Sequence, residues 1–233
     1  MFKSKSYVIP SFVTISLVLI IDQWLKLWIK SSFPIQDQIA DFGFMELLFI
    51  ENKGMAFGWE LGGNYGKLIL STFRVFAIIG IGFVIRNLIE NKAHKGLLIT
   101  ASLVFAGALG NLLDSAFYGI FFTASDFGTT ADFMSADGGY APFMMGKVVD
   151  MLHFTVTWPE WMPFGFGGYE VFPPIFNVAD MAVSGGVIAM LVFNKTFFGT
   201  GKGDFSVFKR NYGKGKDAEE AEIETETTAE VNE

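Results

Sequence analysis

Four apolar stretches, at residues 7–28, 68–89, 96–118 and 177–198, dictate what this chain can become. Each is long enough to cross about 30 Å of hydrocarbon as a helix rising about 1.5 Å per residue. The chain therefore reads as an all-α membrane protein with four transmembrane helices. Its composition agrees: 51% of the 233 residues are hydrophobic and 18% are charged, too few charges for an ordinary soluble domain. The first stretch follows Lys3 and Lys5, as in a signal peptide. "IDQWLKLWIK" then takes the place of a small-residue cleavage site, which predicts a retained anchor.

Basic residues orient the helices. Lys3 and Lys5 precede the first; Arg86, Lys92 and Lys95 surround the link between the second and third; Lys195, Lys202, Lys209 and Arg210 lie at or beyond the end of the fourth. The connection from third to fourth sets Lys147 against Asp126, Asp132, Asp137, Asp150, Glu160 and Glu170. Both termini are expected in the cytoplasm, with segments 31–67 and 119–175 outside. Much of the net charge of -7 sits in "KDAEEAEIETETTAEVNE". Residues 1–198 are thus expected to form the membrane domain and 199–233 a disordered acidic tail. No basic surface suggests a nucleic-acid partner. The absence of cysteine excludes thiol nucleophiles, disulfides and Cys-ligated metals.

The first external segment carries "FGFMELLFIENKGMAFGWELGG", whose apolar residues and glycines predict short strands and a turn at 52–54, a small β-rich cradle. The second is rich in Gly, Phe, Met and Trp, too apolar for a hydrated loop. It is expected to lie on the membrane surface as an adaptable cover, with Gly138 and Gly139 permitting movement.

Three acids, Asp114, Asp150 and Asp180, fall on the expected outer side. Asp114 either ends the third helix in water or serves a site, and Asp180 either complements the dipole of the fourth helix or does the same. Asn111 lies three residues before Asp114 and Asn177 three before Asp180, so each amide shares a helix face with its acid. Two adjacent carboxylates cannot both ionise easily, so one holds a proton while the other acts as a base, the arrangement of aspartic peptidases. Spacing leaves open which two form the pair. Asp22 and Lys26, four apart, are expected to pair and anchor the first helix at the interface, or else to line the site or bind a lipid head group. Arg74 either snorkels outward or neutralises a carboxylate or phosphate. With only His94 and His153 and no HExxH, a zinc site or serine–histidine pair has little support, and no cofactor is expected.

Taken together, "DQWLK" (22–26), "ENKGMAFG" (51–58), "GALGNLLD" (107–114), "VVDMLHF" (148–154) and "FNVAD" (176–180) resemble, in order, the motifs of the lipoprotein signal peptidase family. The resemblance spans roughly residues 7–198. It implies a multi-pass enzyme of the bacterial cytoplasmic (inner) membrane that cuts a prolipoprotein before its diacylglyceryl-modified cysteine. Its active site would lie near the outer leaflet, in contact with membrane lipids and open to inhibition by globomycin. It implies Asp150 and Asp180 as the catalytic pair, with Asp114, Asn52, Gly54, Asn111, Asn177, Asp22 and Lys26 in support. Two features depart from the family pattern. Ser115 stands where Arg usually follows the GNxxD motif, leaving Arg74 and Lys147 as candidate cations. The interval from Asp114 to Asp150 is also lengthened by an insertion. The alternative from another class is a proton-coupled carrier, which would usually hold its acids near mid-membrane and show internal repeats.

Overall fold

A computed structural model describes residues 2–53 and 63–198. Among these, three helices are long and apolar enough to cross a membrane: α1 (Phe2–Ser32), α2 (Gly63–Glu90) and α3 (Lys95–Leu113), the last prolonged to Phe121. The fourth expected crossing is shorter. It comprises the 15-residue α5 (Val178–Val192), followed by α6 (Asn194–Phe198). Gly54 and the acidic tail fall outside the described residues.

Helix α3 is the hub, packed against α1, α2 and α5. Close approach is built on small residues. A Cβ on Gly107 would collide with the Ala179 carbonyl oxygen, and one on Gly110 would come within 2.8 Å of Asp22 Oδ2. Alanine at either position would push α5 or α1 away from α3. Lipid-facing side chains such as Phe12, Ile69, Phe73 and Phe76 are exposed, as expected where the solvent is hydrocarbon.

The third helix does not end at Asp114, as one reading of the sequence required. It widens into a π-helical turn at Asp114–Tyr118 and closes with a short α4 (Gly119–Phe121). Wide turns of this kind occur mostly at functional sites, because the extra residue shifts the helix register and re-aims side chains. Here Asp114, Ser115 and Tyr118 all face inward.

The expected β-rich cradle is a three-stranded antiparallel sheet in the order β1 (Gln38–Asp41), β2 (Met45–Asn52), β3 (Val148–Phe154). Its hairpin turn lies at 42–44, around Gly43; Asn52 ends β2, and the turn expected at 52–54 runs outside the described residues. The third strand comes from the second external segment, so Asp150 sits in a sheet rather than in a loop. Between Leu47 and Ile50 the pairing slips by one residue on β2 before resuming at Ile50 opposite Asp150. Such bulges redirect the strand that follows, here the Ile50–Asn52 stretch beside Asp150.

The insertion is more firmly attached than a surface-lying cover would be. Phe122 and Ala131 are buried in a core with Ile29, Phe49 and Met151. Ile35 N–H donates to the Asp126 carbonyl, Thr123 N–H to Asp132 and Tyr140 N–H to Phe122. Phe127, Phe133, Met134 and Phe143 remain exposed, which keeps an apolar outer surface.

Candidate active site

The sequence of α1 puts Asp22, Lys26 and Lys30 on one helix face, four residues apart, and all three are fully buried. Lys26 Nζ lies 2.9 Å from Asp22 Oδ2 and 2.8 Å from Asp114 Oδ2, and donates at 2.9 Å to Asn111 Oδ1. The pair expected to anchor α1 at the interface is therefore a buried triad with Asp114. Gln23 closes it by donating at 2.8 Å to Asp114 Oδ1. The remaining lone pairs are used across elements. Asp22 Oδ1 accepts from Ala179 N–H at 2.9 Å, and Asp114 Oδ2 from Val149 N–H at 3.3 Å. Asp114 is thus not a helix end in water; it joins α1, α3 and β3.

Asn177 begins α5. Its Oδ1 accepts from Asp180 N–H at 2.9 Å while Asp180 Oδ2 accepts from Asn177 N–H at 3.2 Å, a reciprocal cap. The cap leaves the Asn177 amide Nδ2 to donate at 2.7 Å to Asp150 Oδ1, at 3.1 Å to Asn111 Oδ1 and at 3.2 Å to the Val149 carbonyl. Asn111 Nδ2 donates at 2.8 Å to Asp180 Oδ1, and Asn52 Nδ2 at 3.1 Å to Asp150 Oδ2. One asparagine therefore touches both Asp150 and Asp180, and each acid has a second amide on its other oxygen. Burial pushes the Asp150 carboxyl up to about 7; the neighbouring Asp180 charge adds to the rise, against hydrogen bonds from Asn52 and Asn177 and the Lys26 charge.

Arg74 is half-buried on α2 and turns inward rather than snorkelling: its Nη1 donates at 3.3 Å to Ser115 Oγ. The charges of Asp180, Asp114 and Asp150 all reach it. Lys147, the other candidate cation, instead meets Glu51 Oε2 at 2.7 Å. An apolar cavity of about 610 Å³ opens beside Asp180, walled by Phe154, Val156, Val171, Phe172, Phe176 and Met181. Among the described residues no group of three His, Asp or Glu side chains is arranged to hold a metal.

Eight expected residues thus converge: Asp22, Lys26, Asn52, Asn111, Asp114, Asp150, Asn177 and Asp180. Arg74 joins them through Ser115. Sequence reasoning missed Gln23, Lys30, Glu51 and Ser125. Glu51 pairs with Lys30 and Lys147, and Ser125 Oγ donates to Glu51 Oε1 at 2.8 Å and accepts from Lys30 Nζ at 2.7 Å. The polar row Asp22, Lys26, Lys30 along one side of an apolar helix was a usable signal for Lys30.

The model for the signal peptidase (SPase) II family matches residues 14–196. The chain belongs to that family. The lipoprotein signal peptidase of Porphyromonas gingivalis is 39% identical over 184 residues, covering 76% of this chain and 79% of the relative. That of Amoebophilus asiaticus is 35% identical over 187 residues, covering 77% and 74%. A solved bacterial membrane enzyme, 24% identical, superposes with a TM-score of 0.53 over 82% of this chain and 92% of its own, sharing the fold. The chain is accordingly a membrane aspartic peptidase of the signal peptidase II type, and its membership supports removal of signal peptides from prolipoproteins. Nothing in these relationships favours a carrier.

Proposed function

We propose that this signal peptidase II cleaves a prolipoprotein immediately before its lipid-modified cysteine, with Asp150 and Asp180 as acid and base. The observation that carries the reading is Asn177, which holds both acids at once and leaves Asp150, with its raised proton affinity, able to stay protonated near neutral pH. Protonated Asp150 donates to the scissile carbonyl. Asp180 removes a proton from water as its oxygen attacks the carbonyl carbon. When the tetrahedral species collapses, the carbon–nitrogen bond breaks, the departing amine takes the proton that Asp180 removed from water, and the proton on the former carbonyl oxygen returns to Asp150. Lys26 bridges Asp114 and Asp22 and so fixes α1, α3, α5 and β3 around the two acids.

In the same reading α5 completes a four-helix membrane domain over 1–198, with both termini cytoplasmic and the sheet and acids at the outer boundary. The lysine and arginine distribution supports that orientation. Substrate enters from the bilayer, and the cavity beside Asp180 suits its apolar part. The test is incubation of the purified chain with a diacylglyceryl-modified prolipoprotein and with its unmodified precursor. Globomycin-sensitive release from the modified form alone is expected; equal cleavage of both would sink the lipid requirement, and no cleavage the whole reading.

A further inference from the structure

We propose that His153, clamped between Glu46 and Glu170, is a positioning residue that holds the wall of the cavity beside Asp180 in shape for substrate, on the reading above that this cavity takes the substrate's apolar part. His153 and Phe154 are consecutive on β3, so their side chains leave opposite faces of the strand. The segment 155–176, which returns from β3 to α5, grips both. On one face Glu170 Oε2 lies 3.2 Å from His153 Nε2. On the other the Phe172 ring meets Phe154 edge-on, with centroids 6.2 Å apart. Val171, between Glu170 and Phe172, donates its N–H to the Val156 carbonyl at 2.8 Å, and Val156, Val171 and Phe172 all wall the cavity. The second ring nitrogen, Nδ1, lies 2.7 Å from Oε1 of Glu46, the residue opposite His153 on β2. Gln38 of β1 steadies that carboxylate by donating to its Oε2 at 2.6 Å. One imidazole therefore ties the cavity wall to the sheet.

The two contacts select the charged ring. Neutral imidazole has one N–H and would turn the lone pair of its other nitrogen toward a carboxylate, whereas imidazolium donates on both sides. Burial works against that charge, but the hydrogen bonds and charges of Glu46 and Glu170 outweigh it and hold the proton above the ordinary histidine value of about 6.5. Among the described residues the charges acting on the ring come from these two acids, and Asp41 of β1 lies opposite Glu46 in the strand pairing. Both contacts are complete below about pH 6.5, and one is lost as pH rises through the raised value. Glu170 is then released, and Val171 and Phe172 with it. Substrate affinity is thereby linked to the ring proton, and bound substrate should in turn tighten the hold on that proton.

The test measures Kd for a diacylglyceryl-modified prolipoprotein on the full chain in detergent, with Asp150→Asn as the background. That substitution removes cleavage and the titration of the acid itself. Kd should rise about fivefold from about pH 6 to about pH 9, at the low end of usual coupling between two sites. His153→Arg stays charged throughout and can fork between two carboxylates, so its Kd should be low and flat. His153→Gln and Glu170→Gln should bind weakly at both ends of the range. Glu160→Gln, exposed on the same segment, should follow the background. The chain has two histidines, so His94→Gln leaves the His153 ring as a single NMR signal. That signal should titrate above about 6.5, and higher still with substrate bound. Titration at or below about 6.5 overturns the clamp. A high titration together with a Kd that follows the same pH course in His153→Gln as in the background overturns the positioning role. Failure of every variant to bind substrate at any pH sinks the reading of the cavity, and this role with it, while the ring titration still reports on the clamp.

Discussion

Two buried ionic clusters flank β3, and they are built in opposite senses. In one, a single lysine, Lys26, is held by two carboxylates, Asp22 and Asp114. In the other, a single carboxylate, Glu51, is held by two lysines, Lys30 and Lys147. The first joins helix to helix and adjoins Asp150 and Asp180; the second joins α1 and the insertion to the strand that carries Asn52. Beside the first, burial and the neighbouring Asp180 charge push the Asp150 carboxyl up, while the Lys26 charge acts against the rise. In the base-rich cluster, burial alone would push the Glu51 carboxyl up, but the two lysines pull it below its ordinary value, so it is charged and fixed. Both clusters thus fasten elements together, and the raised carboxyl, Asp150, lies beside the first.

The sharpest break in this comparison is removal of the acids themselves. Asp150→Asn and Asp180→Asn should each lower turnover at least about a thousandfold with the fold retained, and the double variant should be little worse than either, since groups acting as a unit are not additive. An Asp150→Asn protein that processes lipidated substrate near normally would move the chemistry away from β3.

Next come the two central ions. Lys26→Met strands two fully buried carboxylates and should cost about 3–5 kcal/mol of stability. Glu51→Gln strands Lys30 but leaves Lys147, which is 32% exposed at its side chain, free to find water, so about 2–3 kcal/mol is expected. Unfolding in graded denaturing detergent compares them directly, and equal losses would erase the asymmetry. Asp114→Asn keeps one carboxylate on Lys26 and should reduce turnover only about 10–100-fold, measured as kcat on a lipidated prolipoprotein.

The smallest effects are titrations. Because Asp150 in the folded protein holds its proton up to about pH 7, above an ordinary aspartate near 4, the folded state binds more protons than the unfolded one in between. Stability from that proton is full below about pH 4 and is lost as pH rises to about 7. Unfolding midpoints of the parent should decline over that window, and those of Asp150→Asn should not. Activity needing the protonated acid should fall above about pH 7. Asn52→Ala removes a hydrogen bond that favours the charged form, so its alkaline limb should move higher. A downward move would show that Asn52 does not act through Asp150.

The apolar runs were legible because hydrocarbon demands length and hydrophobicity and little else, and α1, α2 and α3 lie close to where those demands put them. The paired Asn-x-x-Asp spacing was legible for a similar reason: each is a local helical relation. What stayed hidden was non-local. Glu51 reads as an ordinary loop acid until β2 brings it beside Lys30 and Lys147. Asp150 could not be assigned to a strand from "VVDMLHF" alone, because the pairing that makes it one comes from about a hundred residues earlier, across two helices. The wide turn at Asp114 has no compositional signature; the sequence offered a helix end, and the helix went on.

The reciprocal cap at the start of α5 makes the candidate site observable without substrate. The amide proton of Asp180 is held by Asn177 and that of Ala179 by Asp22. Both should therefore resist exchange with deuterium for as long as the acids are assembled. Loosening of α5 at its first turn would release these two protons together, and would part Asp150 from Asp180 in the same event. Their exchange rate is a clock for how often the enzyme dismantles its own centre, readable in any bilayer mimic into which deuterated water can be introduced.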